Sequence, residues 1–426
     1  MLKIRVKATV LVLFFLVLIV IFMSTCKQGQ ITHDETTSQS TLAKNIVAPK
    51  VNHNPGSAIF GNSVPNVTLS SATPNATICY TTDNNSNTPI TFTTCGATFA
   101  PIITVTGTSI ISWVFGDGST SNSTMPNVTF ENATIRTNKL VVTPWSSVTS
   151  INIGYDHIDD GSRTIQDLEQ QNVTAVSGLE VVAPYLQIWA SNYNPIATLD
   201  FSNFTALNTV ECYGCRELSS ITLHNVPVLS RLCVEKANLT SLNLSEAPAL
   251  ADLRASHQGN SAFTINWGTI GTNIWHICIW KNPGMDNVPL DQFPILRDYY
   301  NRGNNQTGAL APISTNLRKV LAHNNHYTSA FFPGSFPAGR NASVDLHNNN
   351  LTRLDISNDP GLISLDICNN SLNETAVDEI LQTLDSYETT NGTLYMTGNS
   401  CPSIAGRIYA NNLVARGWMV TIESCH

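Results

Sequence analysis

"LTRLDISNDPGLISLDICNN", residues 351–370, states one short pattern twice. Leu351, Leu354 and Ile356 stand at i, i+3 and i+5, and Leu362, Leu365 and Ile367 repeat that spacing in the next eleven residues. A helical face would repeat at i, i+3, i+4 and i+7. Here the last two apolar positions alternate, as they do in a strand whose side chains point to opposite faces. The unit therefore predicts a short strand followed by a turn.

The same unit runs upstream. Tyr185, Ile188 and Ala190 begin it. There follow Ile196, Leu199 and Phe201; Leu207, Val210 and Cys212; Leu218, Ile221 and Leu223; Leu229, Leu232 and Val234; Leu239, Leu242 and Leu244; and Leu250, Leu253 and Ala255. The central residues 188, 199, 210, 221, 232, 242 and 253 step by ten or eleven, and the unit returns around Val344, Leu354 and Leu365. Pro195, Pro227, Pro248 and Pro360 recur between units, where a long helix would be interrupted. Two half-units make a coil of 21 or 22 residues. No single coil can bury its own apolar side chains, so coils must stack, with successive strands about 4.8 Å apart.

A period of this length with L-x-x-L-x-L resembles the leucine-rich repeats of bacterial surface proteins. The resemblance covers residues 176–372 and implies a solenoid that presents a surface to a macromolecular partner. It also implies that Asn192, Asn203, Asn348, Asn358 and Asn369, which follow the strands, turn inward and satisfy neighbouring backbone; their plainer role is turn formation. Residues 256–341 keep the pattern less strictly, with Ile274, Ile277 and Ile279, and Leu317, Val320 and Ala322, as recognisable units. Trp267, Trp275, Trp280, Phe293, Tyr299, Tyr300, Phe331 and Phe332 gather in this span. Aromatics of this kind fill irregular coils, but Trp267, Trp275, Trp280, Tyr299 and Tyr300 are also the candidate residues of a binding face, since insertions in solenoids collect on one side.

From residue 373 the pattern changes to helix, strand, helix, strand: a capped helix with Ala376, Ile380, Leu381 and Leu384 on one side, a strand in "GTLYMTGN", a second helix ended by Gly417, and a strand in "WMVTIE". A solenoid needs such an end to hide its core from water. Residues 373–426 resemble the C-terminal cap of bacterial leucine-rich-repeat proteins. Cys401 and Cys425 flank it and are a candidate disulfide.

Ahead of the repeats, "VTLSSATPNATICYTTDNNSNTP" (residues 67–89) and "PIITVTGTSIISWVF" (101–115) alternate apolar and polar residues between turns. An all-β sandwich over residues 61–128 is expected. The "SSATPNATI" turn and the Tyr80-Thr81-Thr82-Asp83 run resemble the small module at the C-terminal end of chitobiase and β-hexosaminidase enzymes. That module is not itself catalytic, so the resemblance implies no activity. "WVFGDGSTSN" (113–122) is similar to a stretch of PKD-type sandwiches, but a glycine-rich hairpin turn accounts for it more simply. Cys79 and Cys95 lie on segments that adjacent strands would bring together and form a second candidate disulfide, with a buried free thiol as the alternative. Residues 129–175 read as a connector and N-terminal cap. Within them "GYDHIDDG" (154–161) has carboxylates without the spacing of a calcium loop.

At the N-terminus, Lys3, Arg5 and Lys7 precede an unbroken apolar run over residues 10–23, which ends in Ser24-Thr25-Cys26. The run is shorter than the roughly 20 residues of a spanning helix and fits a signal segment over 1–25. The ending resembles a bacterial lipobox, although Met23 and Thr25 depart from the usual residues. Lipidation at Cys26, ordinary cleavage and an uncleaved anchor all place the rest of the chain outside the cytoplasm, at the cell surface, on the outer membrane or secreted. Residues 26–60 read as a flexible tether.

The 426-residue chain carries a net charge of -8, and only 12% of its residues are charged. No run of Lys and Arg appears beyond the first seven residues, so nucleic acid is not an expected partner. Ten cysteines fit an oxidising compartment. Cys212-Tyr-Gly-Cys215 has the spacing of a metal or redox pair, but Cys212 falls on an inward position, which favours structural burial. Among the histidines only His323-x-x-His326 has a metal-like spacing. No metalloprotease, hydrolase or phosphate-loop motif occurs, so no enzyme activity, metal or cofactor is expected. The sequence predicts a mainly β protein with some helix: an exported, membrane-tethered binder of a protein or glycan. A glycan-binding ancillary protein and a structural spacer are the alternatives.

Overall fold

The computed structural model describes residues 50–52, 68–70, 88–154, 171–268, 272–332 and 334–423. Two units separate near residue 88. In the first, Lys50–Asn52 pairs antiparallel with Thr68–Ser70, so the expected tether over 26–60 contains a strand. The signal segment, Cys26, Cys79 and the "GYDHIDDG" loop beyond Gly154 lie outside the described residues.

The second unit is organised by a thirteen-stranded sheet. It begins with the antiparallel pair Ile102–Val105 and Val148–Asn152 and continues with parallel strands to Met419–Thr421. Each parallel strand is the L-x-L core of one coil, in register with the next: Val210 lies beside Leu232, Leu232 beside Leu253, Leu253 beside Ile277, and so on to Val344 beside Leu365. The alternate half-units form short parallel sheets on the other side of the coils, Thr198–Asp200 with Ser220–Thr222, Ser241–Asn243 with Thr264–Asn266, and Thr307–Leu310 with His326–Phe331 and Arg353–Asp355. The result is a solenoid-like stack. The six repeat positions of the stretch 351–370, Leu351, Leu354, Ile356, Leu362, Leu365 and Ile367, are buried, as are those of every unit from Ile196 to Ala255. Each such side chain contributes roughly 1.5–3 kcal/mol by leaving water, and it does so only because a neighbouring coil covers it.

The first coil is displaced by one residue from its expected register. Trp189, not Ile188, is the inward centre of Ile188–Ala190; Trp189 is fully buried and Ile188 is 43% exposed. Leu186 and Ser191 fill the flanking inward positions. Ser191 is admitted because it accepts from Trp189 Nε1 at 3.1 Å and lies 3.3 Å from Cys212 Sγ. A polar inward residue and an apolar outward one disguised the period.

The corners explain the asparagines. At each corner beyond the long sheet one residue adopts positive φ, as Lys236, His257, Lys281, Asn324, Asn348 and Asn369 do. Asn tolerates that conformation better than most residues. The inward amide is the next residue, so Asn348 and Asn369 shape the bend while Asn349 and Asn370 enter the stack. Asn349 Nδ2 donates to Ala322 O and Leu346 O at 3.0 Å each, and its Oδ1 accepts from Tyr327 N at 3.0 Å. Asn370 repeats this with Leu346 O, Ile367 O and Leu351 N, and Asn399 with Ile367 O, Met396 O and Leu372 N. Asn194, Asn282, Asn304 and Asn325 continue the ladder. Cys215 takes the same position, its thiol donating to Ser191 O at 3.1 Å. Of the asparagines expected to point inward, Asn203 and Asn358 are also positive-φ bend residues. Asn192 is buried, and its Oδ1 accepts from Tyr213 N at 2.8 Å.

Residues 129–175 are not a connector. Arg136–Thr143 is the central strand of a five-stranded sheet with Ile90–Thr94, Val173–Ser177, Ile110–Val114 and Thr120–Ser121. A core of Phe92, Phe99, Trp113 and Phe115 packs beside it, with Trp113 and Phe115 stacked at 5.8 Å. The β-region expected to end at 128 thus extends to residue 177. "WVFGDGSTSN" is a hairpin turn, closed by Phe115 N donating to Ser119 O. Cys95 is a free thiol against Asn172 O, so the expected Cys79–Cys95 bridge is not formed. Six described cysteines are free, and Cys212, Cys215 and Cys233 are buried. They act as packing residues, which weakens the cysteine argument for an oxidising compartment. Cys401 is disulfide-bonded, and its partner lies outside the described residues, as does Cys425.

At the far end, helices α1 (Glu374–Ser386) and α2 (Ile404–Ala415) alternate with Thr393–Tyr395 and Met419–Thr421. Asn373 caps α1 by accepting from Ala376 N, and α1 buries Val377, Ile380, Leu381 and Leu384. Ser403 caps α2. Gly406 allows the two helices to touch: a Cβ there would lie 1.9 Å from Asp378 Oδ1. Among the described residues no helix is long and apolar enough to cross a membrane.

Replacing Asn349 by Leu takes the side-chain acceptor from Tyr327 N and removes one of two donors from each of the Ala322 and Leu346 carbonyls, which Asn325 and Asn370 still reach. The expected loss is about 1–3 kcal/mol, measured by denaturant unfolding, whereas Asn348→Gly at the bend costs only a few tenths. Asp359 gives a pH signature. Burial pushes its carboxyl up to about 7, although Phe336 N donates to it at 2.7 Å. The folded state therefore holds this proton longer than the unfolded chain does, and stability falls as pH rises from about 4 to 7. Asp359→Asn is expected to flatten that segment of the stability–pH curve and to melt higher than wild type at pH 8.

Candidate binding face

The outward residues of the long sheet sit on either side of each inward centre. Register places Thr209, Arg231, Asp252, His276, Asp298 and Lys319 in one row and Glu211, Cys233, Arg254, Cys278, Tyr300 and Leu321 in the next. Every Lys and Arg between residues 231 and 319 lies within this sheet or within three residues of one of its strands. The short sheets on the opposite side carry none in that span, and present Ser, Thr and Asn. One or two basic residues per half-coil form no long run in the sequence; stacking at the coil period gathers them.

Three of the five candidate aromatics join this face and two do not. Trp267 and Tyr299 are buried, with Trp267 packed on Phe293 at 5.3 Å and the Tyr299 hydroxyl accepting from Asn301 Nδ2. Trp275, Trp280 and Tyr300 are half-buried and lie beside cations. Arg297 stacks on Trp275 at 4.3 Å, Arg302 on Trp280 at 3.9 Å, and Lys319 lies 5.6 Å from the Tyr300 ring. Such stacking holds each guanidinium flat and leaves its edges able to donate. At the rim, Arg318 and Arg340 line an open depression of about 300 Å³ with Pro337, Ala338 and Gly339.

The face is held rigid by one carboxylate. Asp252 accepts from Arg231 at 2.5 Å, Arg254 at 3.2 Å and His276 Nδ1 at 2.6 Å, and Arg231 also reaches Glu211 at 2.5 Å. Burial pushes the Asp252 carboxyl up, but His276, Arg254 and Arg231 outweigh it and hold it below the usual carboxylate range. Nearby, burial and the charges of Lys281, Lys236 and Arg302 lower the His257 imidazole, with only Glu235 opposing, which registers the positive field. Burial and Glu235 push the Cys278 thiol up to about 12, so it is not a reactive thiolate. Cys212 is likewise pushed well up by burial, in keeping with a structural role.

His326 begins a strand of the opposite sheet and does not join His323. Among the described residues one group has metal-ligand character: His323, Asp345 and His347. The sequence signal was present, since His323 and His347 each stand three residues beyond an inward valine, Val320 and Val344, in adjacent coils.

No family model and no curated protein matches the chain.

Asp252→Asn keeps the volume but removes the charge that three donors share. The expected destabilisation is about 1–3 kcal/mol at pH 7. Because the native carboxyl is held low, its contribution is present above about pH 4 and is lost as pH falls through the folded-state value. The gap between variant and wild type in chemical denaturation should therefore close towards pH 3.

Proposed function

We propose that this chain is an exported, membrane-tethered leucine-rich-repeat protein that binds an acidic macromolecular partner at the cell surface through the outward face of its long sheet. Two features support the leucine-rich-repeat reading: the L-x-x-L-x-L coil, and the inward Asn or Cys that follows it at a fixed offset. In that reading residues 373–423 are the C-terminal cap. The N-terminal β-region, which resembles a chitobiase-type sandwich, supports the solenoid and has no catalytic part. The N-terminal basic and apolar segment with Cys26 carries the export and tethering part of the proposal.

One observation carries the choice of face: in a chain of net charge -8, the basic residues of the central coils and the half-buried aromatics fall on the same side of the stack. Charge of this sign steers an acidic partner, while flat aromatic and guanidinium groups supply contact area. A protein is the preferred partner. An anionic glycan is the second reading, since Trp275, Trp280 and Tyr300 offer ring faces to sugars.

Lys281 and Arg318 are exposed, so Lys281→Glu with Arg318→Glu should leave the melting temperature within 2 °C or so of wild type. The full-length wild-type chain is expected to be retained on a polyanionic resin at low salt and released as salt rises; the double variant should elute in the void. Arrays of acidic proteins and anionic glycans then distinguish the two partners. Equal retention of wild type and double variant would remove the basis for this face.

A further inference from the structure

Adjacent to the basic patch, two coils bring together a set of ligands that the binding proposal does not use. His323 follows Lys319–Leu321, and Asp345 and His347 end and follow the neighbouring strand Ala342–Asp345, which pairs with it in parallel register. The two imidazoles are stacked, nearly parallel at 13°, with centroids 4.2 Å apart. Both turn the same nitrogen to one carboxylate: His323 Nδ1 is 2.9 Å from Asp345 Oδ2, and His347 Nδ1 is 2.6 Å from Oδ1. One ligand atom from each of the three residues falls within 4.8 Å of the others. On the next coil, Asp366 is the register partner of Asp345 and places Oδ2 3.8 Å from His347 Nδ1.

An ordinary ion-paired carboxylate explains only half of this. His347 makes a good hydrogen bond to Asp345. His323 Nδ1 is buried and lies 2.9 Å from the same carboxylate, but without the alignment that His347 has. Two imidazole nitrogens and one carboxylate thus converge on a single point, as the ligands of a shared ion do.

We infer that His323, Asp345 and His347 form a binding site for a divalent transition-metal ion of zinc's class, with Asp366 within reach as a further oxygen donor. Two imidazole nitrogens and a carboxylate oxygen suit such an ion better than calcium or magnesium, which take oxygen shells. The ligands stand on adjacent strands of one sheet, so their spacing is set by the coil register and not by a loop. They are slightly closer together than in a shell with metal–ligand distances of about 2.1 Å, and a small rotation of the Asp345 carboxylate opens the space. The side chains of His323, Asp345 and His347 are 13%, 22% and 28% exposed, which gives an ion a path in from solvent. Three protein ligands leave a position free for water or for a donor atom from a docked molecule.

The test uses the full-length chain without a histidine tag, stripped with a chelator and titrated with zinc chloride by calorimetry. The expected result is one ion per chain, with at least tenfold weaker binding in His323→Ala, Asp345→Asn and His347→Ala, and unchanged binding in His326→Ala. Circular dichroism of each variant without metal checks folding. Should a variant fail to fold, cobalt(II) added to the wild-type chain decides the matter: ligand-field absorption that saturates at one equivalent supports the site. No saturable zinc binding, absent cobalt bands, or binding unaffected by all three substitutions would each overturn it.

Discussion

A chain that turns a corner every half-coil has to bury backbone amides and carbonyls where strands cannot pair them. An unpaired buried group of this kind costs on the order of 1–3 kcal/mol, and the corners recur along the whole stack. The inward amides of Asn194, Asn282, Asn304, Asn325, Asn349, Asn370 and Asn399 resolve this at one corner of the coils. Each donates to carbonyls of its own and the preceding coil and accepts from an upstream amide. Asn282 Oδ1 holds Gln258 N, Asn304 Oδ1 holds Asn282 N, and Asn325 Oδ1 holds Asn304 N. Each of these corners is thus completed by the coil that follows it; Cys215 and Ala237, at the same position of two earlier coils, bring no amide. The last repeat cannot be completed by another repeat, and Asn399, in the helix-and-strand segment at the end, supplies the missing acceptor to Leu372 N. The terminal segment therefore does more than cover apolar surface; it finishes the hydrogen-bond ladder.

Fixing the corners fixes the register, and the register creates the face. Residues some 21 to 24 apart in the chain become neighbours across one strand spacing. Arg231, Asp252 and His276 meet in this way, as do His323 and His347. None of these pairs has a short-range sequence signature. The opposite side follows the same geometry, but its strands between residues 231 and 319 carry small polar residues and no basic side chain; charge and a ring appear further along, at Phe331, Arg353 and Asp355. The chemical difference between the two sides of the stack is thus written into which half-unit a residue belongs to.

The inward period was legible because it depends only on hydrophobic spacing, and the units from Ile196 to Ala255 fall where that spacing puts them. Three features were misread for identifiable reasons. Trp189 was passed over for Ile188 because Ser191, a polar residue with its own hydrogen bonds, holds an inward position. The ladder was placed one residue early because consecutive asparagines, such as Asn348 and Asn349, divide bending and bonding between them. The strand Arg136–Thr143 was taken for part of a connector because its buried polar Asn138, bonded to Thr94 Oγ1 at 3.0 Å, interrupts the alternation. At the face, Trp275, Trp280 and Tyr300 could be nominated from aromatic content alone. The basic residues could not, because a linear search looks for neighbours in the chain; His323 and His347 become neighbours only when equivalent positions of adjacent coils are compared.

The most direct measurement of the central claim is native-state hydrogen exchange at the amides that only the inward asparagines hold. Gln258, Leu351 and Leu372 lie outside the strands and donate to side-chain carbonyls. If the ladder fixes the corners, these amides exchange as slowly as those of Leu253, Val320 and Leu365 in the long sheet. Exchange at the rate of exposed turn amides, with the strands still protected, would contradict it.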